Sequence, residues 1–195
     1  MDSIDKLVST LNALQPGIVQ SDLRQLLILV DADANPQEQF NKIQASIRLA
    51  EPFTLDGVRT PYPIPAQPDQ FAQGQDIPSI AISLLPGKEA QGAMESLCWQ
   101  AGVAGRGELQ ACIEAFGNCV GFTVWPPQKQ DKLRLRCLIT ALNKTNPDLP
   151  TTRLWDEENI KLALVPLNSP IFSPLVELLK TVWSEGCTTN GAVQK

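Results

Sequence analysis

The stretch Leu26-Leu27-Ile28-Leu29-Val30-Asp31-Ala32-Asp33-Ala34-Asn35-Pro36 decides the fold. An unbroken apolar run is the mark of a strand buried in a parallel sheet. Here the run stops abruptly at two aspartates one residue apart. Side chains i and i+2 of a strand point the same way, which predicts that Asp31 and Asp33 converge beyond the strand's carboxyl end. Open α/β sheets bind ligands at that edge. Two carboxylates suit a hard cation, because Mg²⁺ is held by one or two carboxylates plus waters and substrate phosphates. The plainer alternative is an Asp-rich turn that leads into the next helix.

The residues around the run fit that frame. Asn35-Pro36-Gln37-Glu38 reads as an N-cap, a proline at the first helical position and a glutamate three residues on. The asparagine is thus better explained as a cap than as a metal ligand. The helix it starts carries Phe40, Ile43, Ile47 and Ala50 on its buried face. Upstream, Ile4, Leu7, Val8, Leu11 and Leu14 predict a helix that stops at Pro16-Gly17. Residues 51–77 hold Pro61, Pro63, Pro65 and Pro68 and read as a long loop or irregular edge strands. Ile77 to Leu85 predicts a second strand, closed by Pro86-Gly87. Further helices are expected over Lys88–Trp99, Glu108–Phe116, Lys129–Leu142, Asp156–Leu164 and Pro170–Trp183.

The composition narrows the chemistry. The chain has 195 residues, 43% apolar and 19% charged, which fits one soluble domain with a real core. No apolar run approaches the roughly 18 residues of a membrane span. Its start lacks the features of a signal peptide, so a cytosolic protein is expected. Cys98, Cys112, Cys119, Cys137 and Cys187 form no C-x-x-C pair and read as free thiols in a reducing compartment. The chain has no histidine, which excludes Ser-His and Cys-His nucleophile pairs and histidine-ligated zinc. A net charge of −5 argues against a broad nucleic-acid footprint but leaves room for a local basic strip.

Three familiar motifs fail on inspection. Gly87-Lys88 lacks the G-x-x-x-x-G spacing and the following Ser/Thr of a P-loop. Gly102, Gly105 and Gly107 follow no predicted strand and read as the break between two helices rather than a dinucleotide fingerprint. A haloacid-dehalogenase reading of the D-x-D wants Thr or Val where Asn35 stands, and a late acidic pair that is missing. Lys129, Lys132, Arg134 and Arg136 make a basic segment on a predicted helix, either a set of phosphate contacts or a solvated face. Trp125, Trp155, Trp183 and Phe172 could stack bases, with a role in the core as the plainer reading.

One resemblance has more specificity. The strand ending in Asp31-Ala32-Asp33, a helix, a Pro-rich loop, a second apolar strand ending Leu85-Pro86, and then Gly92-x-x-Glu95 resemble a family of uncharacterised bacterial Toprim-related proteins, similar to the Toprim domain of overcoming-lysogenization-defect (OLD) nucleases. The likeness covers residues 20–100 well and the remainder loosely. It implies that Asp31 and Asp33 are the D-x-D that binds Mg²⁺, and that Glu95 is an accompanying glutamate, with Met94 where the family has Leu. The family's opening strand, ending in a Val-Glu-Gly-like turn with a further glutamate, has no counterpart here. A natural short form and a displaced start codon would both account for that.

The resulting expectation is an α/β fold: a single three-layer Toprim- or Rossmann-like domain over residues 1–183, with a small, mainly parallel sheet, a helical part over 107–183, and a disordered tail at 184–195. Without the opening strand, the sheet would have an open edge covered by a second copy or a partner protein. The expected function is that of a degenerate or truncated Toprim-like binding or regulatory module with a residual divalent-metal site at Asp31, Asp33 and Glu95. The alternative is a Mg²⁺-dependent phosphodiester hydrolase acting on nucleic acid.

Overall fold

A computed structural model describes residues 3–20, 23–55, 57–74 and 77–187. The fold is mixed α/β, and the chain divides into two compact units: Met1–Ala90 with Leu178–Lys195, and Gln91–Glu177.

In the first unit α1 (Ser3–Gln20) is followed by β1 (Gln25–Asp31), α2 (Pro36–Leu49), the short strands β2 (Phe53–Leu55) and β3 (Val58–Thr60), and β4 (Ser79–Leu85). β1 and β4 pair in parallel, in register from Gln25 opposite Ser79 to Asp31 opposite Leu85. β4 is buried along its whole length. Its second edge is taken by the Pro-rich segment: Asp69 N donates to Ile82 O, and Ala72 and Ile80 exchange backbone hydrogen bonds of 2.8 and 3.0 Å. β4 is therefore the central strand and β1 the outer one. This corrects the expectation for the opening run, because Leu29 is 44% exposed. An apolar run reports affinity for a core on one face; it cannot report whether both strand edges are paired.

The core of this unit forms where Phe40, Ile43 and Ile47 of α2 meet Ile80, Ile82 and Leu84 of β4, with Leu26, Ile28 and Val30 of β1 packed alongside. Phe53 and Tyr62 close it, their ring centroids 4.4 Å apart, and the Tyr62 hydroxyl donates to the Leu11 carbonyl. One boundary differs from expectation. α1 runs through Pro16 to Gln20: a proline removes one N–H and crowds the turn before it, but the residues after it resume their own helical bonds. The stretch 51–77 contributes the antiparallel β2–β3 hairpin and extended chain.

The second unit is helical. α3 (Met94–Val103), α4 (Gly107–Cys119) and α5 (Pro127–Leu142) pack together, followed by the short α6 (Glu157–Ile160) and the start of α7 (Ser173–Cys187). Leu97, Trp99, Phe122, Leu135, Leu138, Ile139 and Leu164 are buried. The helix expected from Lys88 begins only at Met94, because Gly92 takes φ +133 and the chain turns at Gly87–Ala90. Ser96 Oγ accepts from Ala93 N at 3.1 Å and secures the true start. Glu89 is exposed, outside any helix. The helix expected over Asp156–Leu164 stops at Ile160, and Ala163 then turns to φ +46. Residues 184–187 are helical, and the remainder of the expected tail lies outside the described residues. Among the described residues no helix is long and apolar enough to cross a membrane.

Candidate functional site

The opening motif folds as strand, reversal and capped helix. β1 ends at Asp31, and Ala32 N still donates to Leu85 O at 2.8 Å. Asp33 then takes φ +52, the left-handed region that Asp visits more readily than most residues. The i, i+2 argument of an extended strand therefore does not hold across this pair. Asn35 caps α2, its Oδ1 accepting from Glu38 N at 3.1 Å, with Pro36 in the first turn.

The reversal nevertheless brings the two aspartates to one place. Asp31 and Asp33 both line an open cleft of about 570 Å³. α1 adds Lys6 and Thr10 to its walls, α2 adds Gln39 and Lys42, and Leu7, Ile28 and Ile43 give it an apolar part. Gln39 Nε2 donates to Asp33 Oδ2 at 2.8 Å, which fixes one carboxylate. Lys42 Nζ sits 2.7 Å from Glu38 Oε1, one turn earlier on the helix. The donors suit a hard cation: two carboxylates and the Gln39 amide oxygen are all oxygen ligands, and waters would complete a shell. Lys6 and Lys42 place positive charge in the same cleft, where a phosphate oxygen would find it. The sequence reading missed Lys6, Gln39 and Lys42; the Asn35 cap was the available signal, since it fixes which residues begin the next helix.

Glu95 belongs to the second unit, in the first turn of α3, with Lys132 Nζ 3.8 Å away. Among the described residues no group of three or more His, Cys, Asp or Glu is placed to hold a metal ion. Cys98, one turn further along α3, is no ready nucleophile: burial, with Glu95 adding to it, pushes its thiol up to about 12.

The basic segment on α5 is largely engaged within its own unit. Arg134 makes a bidentate pair with Glu114 at 2.7 and 3.1 Å and reaches Asp131 at 2.9 Å. Its guanidinium also lies 4.7 Å from the Phe122 ring centroid. Ser96 Oγ donates to Asp131 Oδ2 at 2.5 Å, so α3, α4 and α5 meet at one polar cluster. Nothing in the sequence linked these positions beyond the i, i+3 spacing of Asp131 and Arg134. Arg136 donates to Leu149 O, while Lys129 is exposed. Trp155 packs edge-on to Phe172 and donates to Val165 O. Trp125 is 38% exposed, and the Trp183 side chain lies outside the described residues.

No protein-family profile, no curated protein and no solved structure matches the chain.

Proposed function

We propose that the chain is a binding or regulatory module, a degenerate Toprim-like domain whose residual divalent-cation site is Asp31 with Asp33. The observation that carries this reading is the shared cleft: both carboxylates line it, and Gln39 holds one of them. Glu95 belongs to the second unit, where it is engaged with Lys132, and the proposed site is built from the first unit alone. A bound Mg²⁺ would offer an anionic ligand a charge to coordinate. Asp31 and Asp33 would hold the ion, Gln39 would orient Asp33, and Lys6 and Lys42 would meet the ligand's remaining oxygens. Such a module acts through what it binds: a partner protein or a second copy, with nucleic acid as the alternative.

The hydrolase alternative draws on the same two lysines, because cations beside a carboxylate pair suit a phosphodiester. It also needs a positioned nucleophile, and Gln39 and Thr10 are poor bases for activating one. The binding reading asks less of these residues and is preferred.

Titration calorimetry with Mg²⁺ and Mn²⁺ tests the reading. Wild type is expected to bind one ion, and the Asp31→Asn plus Asp33→Asn variant to show no heat above dilution. Identical curves for the two proteins overturn it. Cation-dependent cleavage of a single-stranded oligonucleotide, lost in the same variant, would favour the hydrolase instead.

A further inference from the structure

The outer edge of β1 carries an inference that does not depend on the cation. In the parallel pair, Arg24 O accepts from Ser79 N and Ala32 N donates to Leu85 O. With the register between these points fixed, the even-numbered residues of β1 turn their backbone groups toward β4. The odd-numbered residues turn theirs outward. β4 is satisfied on both sides, by β1 and by the 69–72 segment. On β1, the outward N–H and C=O of Leu27 and Leu29 meet no partner among the described residues.

The sequence of this edge is equally telling. Proteins protect open edges by covering them with a helix or loop, or in the strand itself with a lysine, a proline, a bulge or an inward-pointing charge. Here α1 leaves an open cleft beside Leu29. Leu26-Leu27-Ile28-Leu29-Val30 has none of the protections within the strand, and the pairing with β4 runs through it without a bulge. The groups on offer are backbone donors and acceptors at strand spacing, flanked by leucine side chains, so the ligand they fit is another extended, apolar strand.

We propose that β1 pairs antiparallel with β1 of a second copy of this chain, joining two sheets across a twofold axis. Centred on Ile28, Leu27 of one copy faces Leu29 of the other, and each such pair exchanges both backbone hydrogen bonds. The charge pattern selects this direction. Antiparallel pairing sets Asp31 opposite the neutral Gln25 of the second copy, whereas parallel pairing in register would set Asp31 beside its own counterpart. The same strand that needs a partner is thus itself a partner of the right chemistry.

The test uses the full chain under reducing conditions. Light scattering coupled to size exclusion is expected to give twice the chain mass for wild type. Leu29→Pro removes the outward N–H without touching the bonds to β4, the one kind of strand position where proline is tolerated. Because the twofold axis doubles the loss, it is expected to weaken the dimer about tenfold or more. Ile28→Val, which leaves the edge intact, is expected to remain dimeric. Should Leu29→Pro fail to fold, hydrogen exchange of wild type decides: the Leu27 and Leu29 amides are expected to gain protection as concentration rises. A wild-type monomer at all concentrations overturns the proposal, as does a dimer that Leu29→Pro leaves unchanged. Leu29 also lines the cleft of Asp31 and Asp33 but supplies no ligand there. Loss of the dimer in Leu29→Pro and loss of cation heat in the double aspartate variant therefore remain separate readouts.

Discussion

Gln39 Nε2 donates to Asp33 Oδ2 at 2.8 Å, so the helix begun by Asn35 reaches back over the turn that precedes it. Asp33 is held at φ +52 by that bond and by the strand end before it. Asn tolerates the same backbone and keeps an oxygen for Gln39, so Asp33→Asn should leave stability close to wild type. A β-branched side chain does neither. Asp33→Val is expected to cost about 1–2 kcal/mol, read as a shift of the urea midpoint at constant slope. Equal midpoints for the two variants would show that the left-handed turn is not a constraint.

Tyr62 is the single tyrosine of the chain, which lets one absorbance titration read it cleanly. Burial pushes its phenol up to about 12, partly offset by a hydrogen bond with Gln15. A pKa raised by folding means that the neutral form is the one the fold favours. Its contribution is fully present below pH 10, the ordinary phenol value, and is lost as pH rises toward about 12. Tyrosinate absorbance should therefore appear late in the native protein and near the ordinary value in urea. Tyr62→Phe should remove the bond to the Leu11 carbonyl, cost about 1 kcal/mol at neutral pH, and flatten the alkaline loss of stability. A phenol titrating normally in the native state would contradict the buried placement.

Arg134 binds carboxylates from α4 and α5 at once, and the Asp131 side chain that it meets is 15% exposed. Removing one member of such a cluster leaves an uncompensated charge where water is scarce. Arg134→Met is expected to destabilise by about 3 kcal/mol, measured by urea unfolding. Arg134→Lys should recover only part of that, because an ammonium cannot make the bidentate fork. Ser96→Ala should cost about 1 kcal/mol, less than its burial suggests, since Asp131 keeps Arg134. If all three variants unfold together with wild type, the cluster is surface decoration.

What the sequence made legible follows the range of the interactions involved. The Asn35 cap, the buried face Phe40–Ile43–Ile47 and the second strand were readable because caps and periodic faces are decided by residues a few positions apart. The status of β1 was not, because an apolar run looks the same at a sheet's centre and at its edge. The helix expected from Lys88 started six residues late because Gly92 and the turn at Gly87–Ala90 overrode a helical pattern. The aspartate pair was legible as a pair but not in its geometry: one left-handed residue replaced the alternation expected of a strand. Lys6, Gln39 and Lys42 came to the cleft through the packing of α1 and α2, which no local pattern encodes.

The glycines make the same point in a form that can be measured. Gly102 reads in sequence as one of three glycines between helices, yet it lies inside α3. A Cβ there would come within 2.2 Å of Leu138 Cδ2 and 3.1 Å of Leu164 O. Leu138 is itself fully buried, so its methyl has nowhere to go. Alanine in a helix interior ordinarily gains about 1 kcal/mol over glycine; here overpacking costs about 1–3 kcal/mol and should win. Gly107, at the start of α4, has nothing within 4 Å of a Cβ, so Gly107→Ala should stabilise by up to about 1 kcal/mol. The two substitutions are chemically identical and should shift the thermal midpoint in opposite directions. Gly102→Ala combined with Leu138→Val should recover part of the loss, because the two side chains contend for one volume and their effects cannot add. A stabilising Gly102→Ala would mean that α3 and α5 pack less closely than their side chains indicate.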